Sequence, residues 1–140
     1  MKPIPYGEWD GLQTAAAYNA LKAHGSAQIT HPFVSPRSPD IVWERIVRGE
    51  LRAAFVAGYF LVYDIGPTWC SEDDVLHELM LKHALPGGTF SEAVEGMRVI
   101  AQVNGCIGIL SGNGVLRDGL RRLYERRGFV KLNEAYFLEV

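Results

Sequence analysis

Three consecutive pieces of sequence decide how this chain folds: Val75-Leu76-His77-Glu78-Leu79-Met80-Leu81, Leu85-Pro86-Gly87-Gly88, and Thr89-Phe90-Ser91-Glu92. The first has apolar residues on both faces of an extended run, Val75, Leu79 and Leu81 against Leu76 and Met80. That pattern predicts a strand buried on two sides. The second piece is a turn. The third opens a helix, because Thr89 at the N-cap and Glu92 three positions on form a capping box. Phe90, Ala93, Val94, Met97, Ile100 and Ala101 then recur at helical spacing until Asn104-Gly105. Residues 106–110 predict a short apolar strand. Two strands joined through one helix imply a parallel pair with a right-handed crossover.

Upstream of this unit, residues 51–57 and 59–65 are β-branched and aromatic runs on either side of Ala57-Gly58. They predict an antiparallel hairpin, with Gly66-Pro67 breaking its second strand. Ser38-Pro39 resembles an N-cap followed by proline at the first helical position, opening a helix that stops at Gly49. Residues 8–23 predict an earlier helix ended by His24-Gly25, and residues 25–37 a surface loop. Downstream, Ser111-Gly112-Asn113-Gly114 is a turn. A helix over about 115–127 follows, with Leu116, Leu120, Leu123 and Tyr124 on one face. Residues 129–132 and 135–140 predict two closing strands. The expected architecture is a single α/β domain over 1–140, with a mixed sheet covered by helices on both faces.

Composition agrees with one folded domain. The chain has 140 residues, of which 48% are apolar, enough for one core. A net charge of -2 argues against a wholesale polyanion binder. No apolar run approaches the roughly 18 residues of a membrane span, so no membrane partner is expected. The N-terminal Met1-Lys2-Pro3-Ile4-Pro5-Tyr6-Gly7 lacks an apolar signal core. Cys70 and Cys106 are too few for a disulfide framework and have no metal-ligand spacing, so no metal is expected. The expected setting is cytoplasmic.

In a sheet with crossover helices, ligands gather at the carboxyl ends of the parallel strands. Two loops meet there, residues 84–90 and 111–114. Gly87-Gly88 permits close backbone approach, and the N–H groups of Gly88, Thr89 and Phe90 sit at a helix start that favours an anion such as phosphate. The same glycines also suit an ordinary tight turn.

The segment Leu123-Tyr124-Glu125-Arg126-Arg127-Gly128-Phe129 resembles the last helix and strand of the GCN5-related N-acetyltransferases. Glu78-Leu79-Met80-Leu81, with the glycine turn and helix after it, is similar to that family's acyl-CoA-binding strand and phosphate loop. The resemblance covers residues 75–140. It implies a splayed sheet with acetyl-CoA, as co-substrate, between the strands at 75–81 and 106–110. The pantetheine would pair with backbone near Met80, Leu81 and Lys82. The pyrophosphate would sit on Gly87, Gly88, Thr89 and Phe90. Tyr124 would protonate the departing thiolate, and Asn113 would assume part of an asparagine role the family places before that tyrosine. The family's phosphate loop usually carries Arg or Gln three residues before its first glycine. Here that position is Leu85 or Ala84.

Amide formation also needs a base, since an ammonium has no lone pair. His77, Glu78 and His83 are the candidates, and Glu78 holds a position where the family often carries a glutamate. The expected activity is therefore acyl transfer to a primary amine, on a small molecule or a peptide. The alternative is a catalytically degenerate binding or structural protein of the same fold, a kind that bacteriophages also encode. Residues 113–131 carry six basic side chains against Asp118 and Glu125. A solvated helix face explains them, and nucleic acid binding is the weaker rival. The closing hairpin could pair with another copy of the chain to make a homodimer.

Overall fold

Continuous apolar runs on either side of Ala57-Gly58, buried on both faces, build the centre of the sheet, and the other elements pack around it. The computed structural model describes residues 2–27, 38–111, 118–132 and 138. In chain order these form β1 (Ile4–Pro5), α1 (Gly11–Ala27), α2 (Pro39–Val47), β2 (Arg52–Val56), β3 (Tyr59–Pro67) and β4 (Asp74–His83). α3 (Phe90–Val103), β5 (Ile109–Leu110) and α4 (Asp118–Arg126) complete the described elements. The five strands lie in one sheet in sequence order. β1 to β4 are antiparallel neighbours, and β5 joins β4 in parallel across α3. The sheet is mixed, as expected. The β2–β3 turn places Ala57 at φ 52° and Gly58 at φ 80°, the two-residue geometry that matches strand twist.

Strand alternation sorts the core into two layers. Ala53, Phe55, Phe60 and Val62 pack with Ala17, Ala20 and Leu21 of α1 and Ile46 of α2. Ala54, Val56, Leu61, Tyr63 and Leu76 pack with Ala93, Val94, Met97, Ile100 and Ala101 of α3. Burying each large apolar side chain contributes about 1.5–3 kcal/mol, and Phe60, Leu61, Leu76 and Met97 are fully enclosed. Helices therefore cover both faces. The Ser38 and Thr89 caps form, accepting from the N–H groups of Asp40 and Glu92.

Several boundaries differ from the sequence reading. The first helix begins at Gly11 because Asp10 and Gln13 make a reciprocal cap: Gln13 N–H donates to Asp10 Oδ1 at 2.8 Å, and Asp10 N–H to Gln13 Oε1 at 3.0 Å. It runs past Gly25 to Ala27, since one helical glycine costs only about 1 kcal/mol. β3 continues through Gly66 to Pro67, which pairs with Asp74 on the last rung, where a missing donor is tolerated. β1 pairs with β2 although Ile4 and Pro5 alone are too short to give a periodic signal. The expected strand at 106–110 is reduced to Ile109–Leu110. The chain at 129–132 is not a strand; Val130 and Leu132 are exposed there, without an apolar surface to hold an extended face. The second closing strand, and the pairing of copies through it, fall almost wholly outside the described residues, as does Asn113. No described helix is long and apolar enough to cross a membrane.

Candidate active site

β4 and β5 share only two rungs among the described residues. Their register has two pairs, Leu76 with Ile109 and His77 with Leu110, after which β5 ends and β4 runs on to His83. Among the described residues, no strand lies on the far edge of β4 beyond His77. Two hydrogen bonds tell which backbone groups face that edge. Leu76 N–H donates to the Gly108 carbonyl, so Leu76 and, two residues on, Glu78 aim their backbone groups toward the β5 side. At the other end, Ala84 N–H donates to the Gly58 carbonyl of the hairpin turn. Stepping back by twos, Lys82 and Met80 direct theirs toward β3, while Leu81 and His83 present theirs to the free edge.

The change of phase between these halves is a bulge. Tyr63 pairs with Glu78 and Val62 with Met80, leaving Leu79 without a partner. An extra residue reverses the side-chain alternation. Leu76 lies in the α3 layer and Met80 in the α1–α2 layer, although their even spacing predicts one shared face. Leu81 returns to the α3 side, and Leu79 is 53% exposed. The sequence reading, which grouped Leu79 with Leu81, had no signal for the bulge.

Glu78, just before the bulge, meets Tyr124 from α4. The Tyr124 hydroxyl donates to both carboxylate oxygens, at 2.7 Å to Oε1 and 2.9 Å to Oε2. Phe90 and Phe129 pack edge-on against the Tyr124 ring, with centroids 5.2 and 5.0 Å away. Tyr124 is therefore both a packed aromatic and a buried hydrogen-bond donor. Burial raises the Glu78 pKa, and the hydrogen bond from Tyr124 opposes that rise. Burial and the neighbouring carboxylate both raise the phenol of Tyr124. Glu78 makes this contact rather than an ion pair with Lys82. The two histidines are otherwise engaged: His77 Nε2 bonds the Gly66 carbonyl at 3.1 Å, and His83 Nε2 bonds the Gly87 carbonyl at 2.7 Å.

The glycine turn leans on the β2–β3 hairpin. A Cβ at Gly88 would come within 1.7 Å of the Ala57 carbonyl oxygen, whereas one at Gly87 would meet nothing. At the start of α3, Thr89 Oγ1 accepts from Glu92 N–H and donates to the Glu92 carboxylate. The Phe90 and Ser91 N–H groups remain without intrahelical acceptors, as at any helix start. Glu92 adds negative charge beside them, and residues 84–91 supply no basic side chain. Sequence reasoning missed Ser111, whose buried Oγ lies beside the Glu78–Tyr124 pair and influences both groups. A serine in a turn motif carries no signal of that contact.

No protein-family model and no curated protein matches the chain. Solved structures do. A ribosomal-protein-alanine N-acetyltransferase from Brucella melitensis is 13% identical, with TM-score 0.63 and 100% of both chains covered. A Trypanosoma brucei acetyltransferase is 12% identical, with TM-score 0.63 and 99% of both covered. An aminoglycoside N-acetyltransferase bound to a CoA-containing bisubstrate analogue is 15% identical, with TM-score 0.62, covering 91% of this chain and 92% of that one. The likeness is one of fold, and it extends over the whole chain.

Proposed function

We propose that this chain, which has the fold of the GCN5-related N-acetyltransferases, is an acyl-CoA-dependent N-acyltransferase that acetylates a primary amine by direct attack. The Glu78–Tyr124 hydrogen bond at the mouth of the β4–β5 fork carries this reading. Leu81 offers backbone groups along the free edge for a pantetheine arm. The turn at Gly87 and the first N–H groups of α3 offer a place for the diphosphate. Structural neighbours with CoA or an aminoglycoside bound support both halves of the reaction. The acceptor is a small-molecule or peptide amine.

In the reaction the amine, once its ammonium proton has been lost to solvent, bonds through nitrogen to the thioester carbonyl carbon, the C–S bond breaks, and sulfur leaves with the electron pair. Glu78 takes the amine proton; its raised pKa brings it closer to working pH, where a base is most effective. Tyr124 gives its proton to sulfur, and Glu78 returns a proton to Tyr124 through the bond they already share. Amide and thiol are the products, and both side chains end as they began. Direct contact matters here. A thiol titrates near about 8.5 and a free phenol near about 10, and Tyr124 lies higher still. Alone it would protonate a thiolate only uphill. Replacement of its proton by Glu78 in the same step removes that barrier.

The test is thiol release from acetyl-CoA with a panel of amines. Tyr124→Phe should lower kcat about a hundredfold with little change in KM for acetyl-CoA; equal turnover by the variant would remove Tyr124 from the chemistry. A non-catalytic protein of the same fold is the second reading. It is favoured by the α3 N-terminus, which is closed by Thr89 and Glu92 and lacks a basic neighbour.

A further inference from the structure

Ser111 follows the last residue of β5, and the register of the two shared rungs sets it across the fork from Glu78. Leu76 and Ile109, two residues earlier on their strands, both pack on the α3 side. Side chains two apart share a face, so Glu78 and Ser111 project the same way, toward Tyr124. The Ser111 Oγ is buried and makes no hydrogen bond of full geometry among the described residues, yet it is near enough to Glu78 and Tyr124 to act on both as a donor. Buried hydroxyls rarely stay unpaired. Glu78 has room for another donor, because an ionised carboxylate offers about four lone-pair sites and Tyr124 supplies a single proton.

We propose that Ser111 is a positioning residue for the Glu78–Tyr124 pair, its hydroxyl donating to whichever of the two bears the negative charge. Before the acyl group moves, that is the Glu78 carboxylate. As the proton passes to sulfur, partial negative charge builds on the Tyr124 oxygen until the proton from Glu78 arrives, and the Ser111 hydroxyl can turn to that oxygen. A serine hydroxyl suits this role because it carries no charge and turns about one bond to reach either oxygen. Its influence on both groups runs in this direction, lowering each pKa against the rise caused by burial. Among the described residues, no third charged side chain perturbs either group; the rings of Phe90 and Phe129 pack against Tyr124. The catalytic use of Ser111 rests on the proposed function, but its effect on charge is present in the free protein.

The experiment follows the Glu78 carboxyl by carbon NMR in the free, full-length protein, with the signal assigned through Glu78→Gln. Ser111→Ala should raise the Glu78 titration midpoint by about one pH unit, the size of one hydrogen bond to a charged group. Ser111→Thr keeps the hydroxyl and should titrate like the wild type. An unmoved midpoint in folded Ser111→Ala overturns the proposal, and so does an equal shift in Ser111→Thr, which would mark general repacking. With acetyl-CoA and an accepted amine, Ser111→Ala should lower kcat about tenfold at unchanged KM and move the acid limb of the pH profile upward. Wild-type protein that turns over no amine would end the transferase reading, while the titration would still decide the assignment of Ser111.

Discussion

A carboxyl group enclosed beneath Tyr124 resists ionisation, and that resistance links Glu78 to the stability of the whole protein. Its folded pKa lies above the unfolded value of about 4.3, because burial outweighs the hydrogen bond that opposes it. Between those values the native state holds a proton that the unfolded chain has lost. Stability linked to Glu78 is therefore full below about pH 4 and declines as pH rises through the folded pKa. Glu78→Gln keeps an oxygen acceptor for Tyr124 without the charge. It should melt a few degrees above wild type at pH 8, with the difference vanishing toward pH 4. Melting curves across pH check this, and a variant less stable at pH 8 would contradict it. The same substitution should abolish the proton transfer, so stability and turnover move in opposite directions. The Leu123–Phe129 segment and the strand before the glycine turn single out Tyr124 and Glu78 in sequence as candidates. Their mutual contact was not legible there, because 46 residues separate them.

Two elements meet at the glycine turn, and their packing assigns different work to its two glycines. Gly88, at φ 73°, lies under the Ala57 carbonyl of the β2–β3 turn, while Gly87, at φ 85°, faces open space. In sequence both suited close approach to a ligand. In the fold, the group approaching Gly88 is the chain's own backbone. Gly88→Ala must displace the hairpin and should cost about 3 kcal/mol or more. Gly87→Ala bears only the left-handed strain of about 1–2 kcal/mol. Denaturant unfolding of the two variants checks the order, and equal losses would mean that the hairpin yields freely. The bulge at Leu79 is the other event on this scale. It turns the backbone groups of Leu81 outward and places the reversal immediately after Glu78. A one-residue phase shift leaves no trace in a strand that is apolar on both faces, which is why alternation alone misplaced Leu79.

At the scale of the molecule, the sheet separates two apolar layers, and beyond His77 the outer edge of β4 has no strand beside it among the described residues. A ligand seated along the fork would contact β4, α3 and α4 together, so its binding should stabilise the domain as a unit. Acetyl-CoA at 100 times its dissociation constant should contribute roughly 2.7 kcal/mol, a melting shift of about 5–10 °C. No shift at millimolar acetyl-CoA would favour the non-catalytic reading. Local patterning by itself determined the mixed α/β class, the hairpin, the capped helix α3 and the parallel crossover, because caps, turns and periodicity act over a few neighbouring residues. Only the tertiary structure decided where the pairing of β4 with β5 ends, that Tyr124 donates to Glu78, and that Ser111 acts on both. Those contacts join residues far apart in the chain, and what holds them is α3 packed on one face of the sheet, with the Tyr124 ring of α4 seated against Phe90 and Phe129.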